Sequence, residues 1–502
     1  MSKTKPRLEK PSVYDVAKRT PLQKADKLSK KCGVEVLLKR EDLQPIHSFK
    51  IRGAYNKIAS LTDEEKSHGV IAASAGNHAQ GVALSAKKLG IKALIVMPQT
   101  TPAIKVDAVK SYGGAVELVG DNYSDAAEYC KKRVEKTGMT FIHPFDDPLV
   151  IEGQGTIADE IIEKRPDVTH IFAPIGGGGL IAGIAQRIKK THPHIKVIGV
   201  EPKDSNAMQT SIQKNKIVEL PHVGIFADGV AVKKVGTNTY DIAKKYVDDF
   251  ISVSTDRTCA AIKSIFEDTR SIVEPAGALA IAGIESYELP EDAVALAICS
   301  GANMTFERLQ FVAERTLLGS GKEALFAVEL SEKPHALQEF CEKVVKDHNI
   351  TEFNYRLHKR SKAQIFVGIG MSSSEDKQNL IDTLKQHKYI FTDLSNDTVA
   401  KEHVRHMVGG PSEDAKNEQI FSVGFPERPG ALRDFLQIIG NGGINISLFH
   451  YRGQGGDVGR VLIGFEANGK KDFMKQLEHS SYDIEPASSK AIDLFLGRNH
   501  IS

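Results

Sequence analysis

A lysine that could act as a nucleophile lies at position 50, within the segment HSFKIRGA (47–54). Most lysines are protonated and solvated, and Lys50 could do no more than begin a helix. If the fold holds it in a cleft, however, its amine loses a proton and can form a Schiff base with the carbonyl group of a cofactor. Because the lysine alone leaves both interpretations open, the neighbouring motifs have to decide between them.

The segment SAGNHAQG (74–81) follows the apolar run GVIAA (69–73) and opens a helix-like stretch. As a plain turn it would need only Ser74 or Asn77 as a helix cap, with glycine for unusual backbone angles. As a binding loop, its N–H groups and the positive end of the helix would attract an anion such as a carboxylate. The amide of Asn77 could also donate a hydrogen bond to a phenolic oxygen on a cofactor ring. The segment by itself leaves both interpretations open.

Four consecutive glycines precede Leu180, between the apolar run THIFAPI (169–175) and the helix-like segment LIAGIAQRIKK (180–190); they are Gly176, Gly177, Gly178 and Gly179. Such a run loses much conformational entropy on folding, so a loop that only connects two elements rarely uses one. Without side chains, the backbone N–H groups can close around a phosphate at the helix N-terminus. The glycines therefore predict a phosphate-binding loop.

The same loop also fits the dinucleotide pattern G-x-G-x-x-A through Gly177, Gly179 and Ala182, with Glu201 near the end of the next strand. A nicotinamide-dependent dehydrogenase is therefore a rival hypothesis. A dehydrogenase of this kind, however, would not need the lysine segment or SAGNHAQG. A nucleotide kinase is excluded because no GK[ST] follows the glycines.

Ser300 begins the segment SGAN (300–303), directly after the apolar run VALAICS (294–300). A serine at the end of a strand is most often a turn former. Next to the nitrogen of a cofactor ring, a neutral hydroxyl would leave a pyridine unprotonated, whereas an aspartate would favour its protonation.

These motifs lie in a region, from about residue 33 to 320, where short apolar runs alternate with amphipathic stretches. The runs read as buried parallel strands; they are 34–38, 69–73, 92–97, 169–175, 196–200 and 294–300. Strand followed by helix, repeated, predicts open parallel sheets of the α/β class. Ligands bind at the carboxyl ends of the strands in such sheets, which is where the glycine loop, SAGNHAQG and SGAN fall.

The C-terminal part of the chain contains an internal duplication. FAVELSEKPHALQEF (326–340) is echoed by FSVGFPERPGALRDF (421–435), and ITEFNYR (350–356) by ISLFHYR (446–452), at nearly equal offsets. Each copy predicts a small α+β module. The glycine and serine content of 318–324 is typical of a linker. We therefore expect a catalytic domain at 1–320 and two modules at 324–396 and 419–492.

The composition of the chain argues against several classes of protein. The 502 residues carry a formal charge of only +2, which provides no field for nucleic acid or an anionic membrane surface. Five scattered cysteines without a CxxC pair indicate neither disulfides nor a zinc site, and favour a reducing compartment. No apolar run is long enough to span a membrane, and the basic N-terminus lacks the apolar segment of a secretory signal. A remnant of an organelle-targeting segment is the alternative to a frayed cytoplasmic end. We expect a cytoplasmic enzyme without a metal.

Taken in order, HSFKIRGA, SAGNHAQG, GGGGL and CSGAN resemble the fold-type II (tryptophan synthase β-like) pyridoxal-phosphate enzymes, and among them the threonine/serine dehydratases. The resemblance covers about residues 12–320. It implies that Lys50 binds pyridoxal 5′-phosphate covalently and acts as the base, and that Ser300 meets the ring nitrogen. The remaining cofactor-binding residues that it implies are Phe49, Asn77, Gly176, Gly177, Gly178, Gly179 and Leu180. The loop that it implies for the substrate carboxylate consists of Ser74, Ala75, Gly76, Asn77 and His78.

The duplicated modules resemble the paired ACT-like regulatory domains of biosynthetic threonine ammonia-lyases. This resemblance implies a homotetramer that opens isoleucine biosynthesis, acts on L-threonine, is inhibited by isoleucine and is activated by valine. Two alternatives remain. One is a serine-preferring dehydratase or a racemase of the same fold, which usually lacks tandem modules. The other is a non-catalytic amino-acid sensor, against which the retained Lys50 argues.

Overall fold

The computed structural model describes residues 12–331, 336–346, 348–359, 362–407, 418–426, 435, 446–452, 458–466 and 482–496. The chain divides into two compact units, Met1–Phe306 and Glu307–Ser502. The expected catalytic domain ended at residue 320, whereas the structure groups the helix at 308–319 with the second unit. Among the described residues, no helix combines the length and the apolar composition that a membrane crossing requires.

The larger sheet of the first unit has six strands in the order β1-β2-β10-β7-β8-β9, all parallel except the edge strand β1. Their bounds are β1 Leu22–Lys24, β2 Glu35–Arg40, β7 His170–Pro174, β8 Lys196–Pro202, β9 Asp249–Val253 and β10 Val294–Cys299. Strands β2, β7 and β10 are almost entirely buried, as expected for a parallel sheet covered on both faces.

The smaller sheet is parallel and has the order β5-β4-β3-β6. Its strands are β3 Val70–Ala73, β4 Ala93–Met97, β5 Ala115–Leu118 and β6 Thr140–Phe141. All six runs predicted as strands are confirmed. They form β2, β3, β4, β7, β8 and β10, divided between the two sheets.

Helices cover both sheets of the first unit. They are α1 Asp26–Cys32, α2 Lys50–Ala59, α3 Asp63–His68, α4 Asn77–Leu89, α5 Ala103–Ser111, α6 Tyr123–Thr137, α7 Pro148–Lys164, α8 Gly179–Thr191, α9 Ala207–Gln213, α10 Thr237–Tyr246, α11 Thr255–Thr269 and α12 Pro275–Ile284. Every residue of α12 is buried, because its sequence is apolar on all sides. Its first turn therefore carries Glu274, the residue before it, into the interior as well.

The second unit begins with α13 (Arg308–Gly319) and contains two antiparallel sheets of identical order, β12-β13-β11-β14 and β16-β17-β15-β18. The strands of the first module are β11 Glu323–Ser331, β12 Ile350–Lys359, β13 Lys362–Gly370 and β14 Ile390–Asp393. Those of the second are β15 Glu418–Pro426, β16 Ile446–Arg452, β17 Val458–Glu466 and β18 Asp483–Pro486. The equal strand order confirms the predicted duplication of an α+β module.

The helices of this unit that the structure describes are α14 Ala336–Phe340, α15 Ser374–Gln386, α16 Thr398–Glu402 and α17 Lys490–Phe495. The proline-containing turns at 332–335 and 427–430, and most of the segment echoed at 431–435, lie outside the described residues. The two modules share a hydrophobic core, which combines Leu325 and Ala327 of β11 with Ile420 of β15, Leu462 of β17 and Phe495 of α17.

Candidate functional site

One cavity of the first unit collects the predicted cofactor-binding residues. Its empty space is about 420 Å³, and it lies at the carboxyl ends of strands from both sheets. The residues that line it include all those predicted to bind the cofactor: Phe49, Lys50, Asn77, Gly176, Gly177, Gly178, Gly179, Leu180 and Ser300. Phe145, Gly229, Val230 and Glu274 line it as well, and the sequence motifs did not indicate these residues.

Lys50 is the first residue of α2, and its amine donates a hydrogen bond to the Pro144 carbonyl oxygen at 2.8 Å. Burial lowers the pKa of Lys50 to about 8, although the nearby Glu274 carboxylate acts in the opposite direction. A lysine with an ordinary pKa would be almost entirely protonated near neutral pH. Lys50 instead provides a useful population of neutral amine, which is the form that attacks carbonyl groups and accepts protons.

A buried ion network holds the helix that carries Lys50. Arg52 donates to Glu41 at 2.8 Å and to Glu160 at 2.6 Å, and the Lys39 amine lies 2.5 Å from Glu160. These four side chains are at most 1% exposed. Since removing one partner of a buried pair leaves a charge unpaired, the network fixes α2 against β2 and α7.

Asn77 is the first residue of α4 and lies between two polar side chains. Its amide nitrogen donates to Glu274 at 2.7 Å, and its amide oxygen accepts from Asn303 at 2.6 Å. Glu274 is only 3% exposed, and its backbone N–H donates to the Gly301 carbonyl. This chain of hydrogen bonds orients the amide, whose nitrogen has a second hydrogen for a ligand oxygen.

Close packing explains why the glycine loop lacks side chains. Gly178 precedes α8 with φ of 95°, in the left-handed region that favours glycine. A Cβ atom on Gly177 would lie 2.3 Å from the ring of Phe145, and one on Gly178 would lie 2.9 Å from Cβ of Thr239. The loop therefore presents backbone alone, and the N–H groups in the first turn of α8 have no partner within the helix. Such a helix N-terminus favours a phosphate.

Ser300 follows β10 and is 2% exposed. Its carbonyl oxygen accepts from the Phe49 N–H at 3.1 Å, and Ser48 pairs with Gly301 as an antiparallel bridge. The backbone thus ties the segment that carries Lys50 directly to the segment that carries Ser300.

The predicted substrate loop borders open space, because a Cβ atom on Gly76 would meet no atom within 4 Å. The His78 side chain, however, is turned away from the cavity and its ring nitrogen Nε2 lies 2.8 Å from the Ile142 carbonyl oxygen. Burial, assisted by the positive charge of Lys50, lowers the pKa of His78 to about 3. The ring is therefore neutral, and its Nε2 is occupied by the Ile142 carbonyl oxygen.

The donor set fits pyridoxal phosphate. A lysine amine with a lowered pKa suits the aldehyde, the Asn77 amide suits the phenolic oxygen, the glycine-lined helix N-terminus suits the phosphate, and Ser300 offers the ring nitrogen a neutral hydroxyl. The dinucleotide alternative fails on Glu201, since its carboxylate accepts from the Met208 and Gln209 N–H groups at the start of α9. That carboxylate is committed to the protein and does not face a ribose.

Comparison with known proteins agrees with this fit. Residues 13–301 match the model of the pyridoxal-phosphate-dependent enzymes, and residues 314–404 and 409–494 match the C-terminal regulatory domain of threonine dehydratase. The chain is 46% identical to the biosynthetic L-threonine dehydratase IlvA of Escherichia coli K12 over 491 residues, which cover 96% of this chain and 95% of that protein. It is 49% identical to the Pasteurella multocida protein of the same name, over 94% of this chain and 92% of the relative.

Solved structures match part of the chain. The processed form of threonine deaminase isoform 2 from Solanum lycopersicum is 48% identical, with a TM-score of 0.59 over 60% of this chain and 89% of its own. Maize serine racemase is 33% identical, with a TM-score of 0.57 over 62% of this chain and 98% of its own.

The fold and the site thus define a pyridoxal-phosphate-dependent enzyme of fold type II. Within that class, the chain belongs to the family of biosynthetic threonine dehydratases, lyases with a C-terminal regulatory domain.

Proposed function

We propose that Lys50 carries the threonine dehydratase reaction in this chain, the β-elimination that converts L-threonine to 2-oxobutanoate and ammonia at the start of isoleucine biosynthesis. The observation that carries the proposal is the single cavity in which a lysine amine with a pKa of about 8 meets Asn77, the glycine loop and Ser300. When bound there, pyridoxal phosphate supplies the electron sink for the carbanion formed at Cα.

The residues of the chain have distinct parts in this reaction. The backbone of the loop 74–78 receives the substrate carboxylate, and the neutral Lys50 amine takes the proton from Cα as general base. The Pro144 carbonyl oxygen accepts a hydrogen bond from the amine and so orients it, and the nearby Glu274 carboxylate favours its protonated form. The β-hydroxyl then takes up a proton and leaves as water, and the resulting enamine is released and reacts with water to give 2-oxobutanoate and ammonia.

A steady-state assay with purified protein tests this function. We expect 2-oxobutanoate from threonine, lower efficiency with serine, and a yellow chromophore that borohydride reduces onto the protein. A colourless protein without turnover would instead identify the chain as a sensor, and a higher efficiency with serine would favour a serine dehydratase.

Ser300→Asp is expected to slow elimination and to increase abortive transamination and racemisation. An aspartate at this buried position favours a protonated ring nitrogen, which lengthens the life of the carbanion. The readout is the ratio of 2-oxobutanoate to side products, which does not depend on the folded fraction of the variant. Ser300→Ala serves as the control that removes the hydroxyl without adding charge. An unchanged ratio in the aspartate variant would show that Ser300 does not meet the ring nitrogen.

Glu274→Gln is expected to move the pH dependence of cofactor uptake to lower pH. In the wild-type apoenzyme, uptake requires the neutral Lys50 amine and should rise with pH to a midpoint near 8. The Glu274 carboxylate raises the pKa of Lys50 against the effect of burial, so removing its charge lowers that pKa further. The rate of appearance of the chromophore against pH measures both midpoints. Glu285→Gln, which breaks a pair with Lys31 instead, should keep the wild-type midpoint; a Glu274 variant that also keeps it contradicts the assignment.

The duplicated modules support regulation as part of the proposal. Under this proposal, isoleucine inhibits the enzyme and valine activates it, both through the second unit. The proposal also includes a homotetrameric assembly and a cytoplasmic location. The match of residues 314–404 and 409–494 to a regulatory domain and the identical order of the two sheets favour an effector-binding role for this unit.

A further inference from the structure

A buried threonine holds the glycine loop from a side that does not face the catalytic cavity. Thr239 is the third residue of α10, and its side chain is completely buried. Its hydroxyl donates a hydrogen bond to the Gly177 carbonyl oxygen at 2.7 Å and lies 3.1 Å from the Gly236 carbonyl oxygen. Gly177 and Gly178 line the cavity, whereas Thr239 lies outside its lining. The threonine therefore acts on the backbone of the loop and not directly on a ligand.

A run of glycines needs such a constraint. The peptide group between Gly177 and Gly178 has no side chain at either end, so it can turn over at little steric cost. Because a trans peptide group is planar, the Gly177 carbonyl and the Gly178 N–H point in opposite directions. The hydrogen bond from Thr239 fixes the carbonyl and thereby fixes the direction of the N–H. Only one of the two orientations offers that N–H to a ligand in the cavity.

The Asp146 carboxylate orients the threonine. Helix α10 begins without a side-chain cap from the residue before it. Asp146 replaces such a cap, since its carboxylate accepts from the Thr237 N–H at 3.0 Å and from the Thr239 N–H at 3.2 Å. Asp146 lies between β6 and α7, two residues after Pro144, whose carbonyl oxygen accepts from the Lys50 amine. One short segment thus contacts the lysine directly and the glycine loop through Thr239.

Helix packing keeps the threonine within reach of the loop. Tyr240 and Ala243 of α10 belong to the same hydrophobic core as Ile181 and Ile184 of α8, the helix that the glycine loop opens. Because protein cores are closely packed, the two helices cannot separate without leaving a void. The distance between the hydroxyl and the loop is therefore set by the core.

From this geometry we propose that Thr239, oriented by Asp146, is a positioning residue for the cofactor phosphate. Its hydroxyl selects the orientation of the peptide group in which the Gly178 N–H is directed into the cavity. The loop then receives the phosphate without first having to become ordered, which reduces the entropic cost of binding. The inference deepens the proposed function and rests on it, since the glycine loop has to be the phosphate site.

Binding of pyridoxal phosphate and of pyridoxal, which lacks the phosphate, to the full-length apoenzyme tests the inference. Thr239→Val keeps the branched shape of the side chain and removes the hydroxyl. It should weaken the binding of pyridoxal phosphate by tenfold or more, about 1.4 kcal/mol, and that of pyridoxal by no more than about twofold. Thr239→Ser retains the hydroxyl and should bind both compounds as the wild type does.

Thr258→Val is the matched control. Thr258 is also buried, and its hydroxyl also donates to a backbone carbonyl, that of Ser254 on the first turn of α11. This variant should bind pyridoxal phosphate with wild-type affinity. Asp146→Ala tests the second residue of the proposal. It should weaken the binding of pyridoxal phosphate less in the Thr239→Val background than in the wild type, because both residues act on one hydrogen bond. Full additivity of the two effects would contradict the part assigned to Asp146.

The outcomes separate this inference from the proposed function. If the wild type deaminates threonine and Thr239→Val binds pyridoxal phosphate with wild-type affinity, Thr239 does not position the loop and the proposed function stands. If the wild type binds pyridoxal as tightly as pyridoxal phosphate, the glycine loop is not the phosphate site, and the inference fails together with that part of the proposed function. Equal weakening of both compounds by Thr239→Val, or an equal loss in Thr258→Val, would also overturn the inference. Should Thr239→Val unfold, as judged by its thermal transition, Thr239→Ala decides in its place.

Discussion

Replacing Lys50 with alanine is expected to reduce threonine turnover by about 10³-fold or more, because the change removes both the covalent anchor of the cofactor and the general base. The fold should persist. The side chain points into a cavity, where its amine donates to the Pro144 carbonyl, whereas α2 is held by the ion network around Arg52. The measurements are turnover by freshly purified protein and the borohydride-reducible chromophore, which should be lost from the protein.

Lys57→Ala is the matched control for that experiment. Lys57 is on the same helix, where it pairs with Asp147 at 2.9 Å, outside the cavity. This variant should keep its chromophore and nearly all of its activity. If the Lys50 variant retained even a tenth of wild-type turnover, Lys50 would not be the catalytic lysine.

A chain shortened to Met1–Phe306 is expected to deaminate threonine and to lose inhibition by isoleucine completely. All residues that line the catalytic cavity lie between Phe49 and Ser300, inside the first unit. Maize serine racemase matches 62% of this chain over 98% of its own length, which supports a catalytic fold that is stable without the remaining part of the chain. Allosteric coupling is typically worth about 1–3 kcal/mol and requires both sites, so removing the modules removes the coupling and leaves the chemistry.

The truncation is best judged by a threonine assay across an isoleucine titration, with the full-length chain alongside. The sequence predicts that the catalytic domain ends at residue 320, which would place the cut there. The structure moves the cut to residue 306, because α13 belongs to the second unit, where its Arg315 pairs with Glu402. A soluble truncated enzyme that isoleucine still inhibits at the same concentration would place the effector site in the catalytic unit.

The residues of the site that could be predicted from the sequence are those that belong to a recognisable short motif. Lys50, Asn77, the glycine loop and Ser300 each lie in a short segment with an unusual composition, and the structure brings all of them to one cavity. Glu274 was missed, and Asn303 was given no role within SGAN (300–303), because the importance of both residues arises from contacts with Asn77, which is distant in the chain. One signal was available for Glu274: an acid that heads an entirely apolar helix, PAGALAIAGI, has to be buried.

The same distinction applies to the fold: some strands can be predicted from their own sequence, whereas others depend on residues that are distant in the chain. Long apolar runs such as those of β7 and β10 were predicted correctly as strands. Their sequences do not indicate, however, which of the two sheets each strand joins. Strand β5 is half-exposed and β6 has only two residues, so neither carries a hydrophobic pattern long enough to be recognised. Their pairing with β4 and β3 depends on the assembled sheet. The side-chain direction of His78 is likewise set by the Ile142 carbonyl, 64 residues away.

The core shared by the two modules bears on how this architecture can evolve. Leu325 of the first module and Leu462 of the second are buried in the same hydrophobic core, so a single module taken alone would expose an apolar face. Recombination between genes, or an engineer grafting effector control onto another enzyme, therefore has to move both modules together. Although the sequence contains two copies of the module, the unit that can be transferred to another protein consists of both modules.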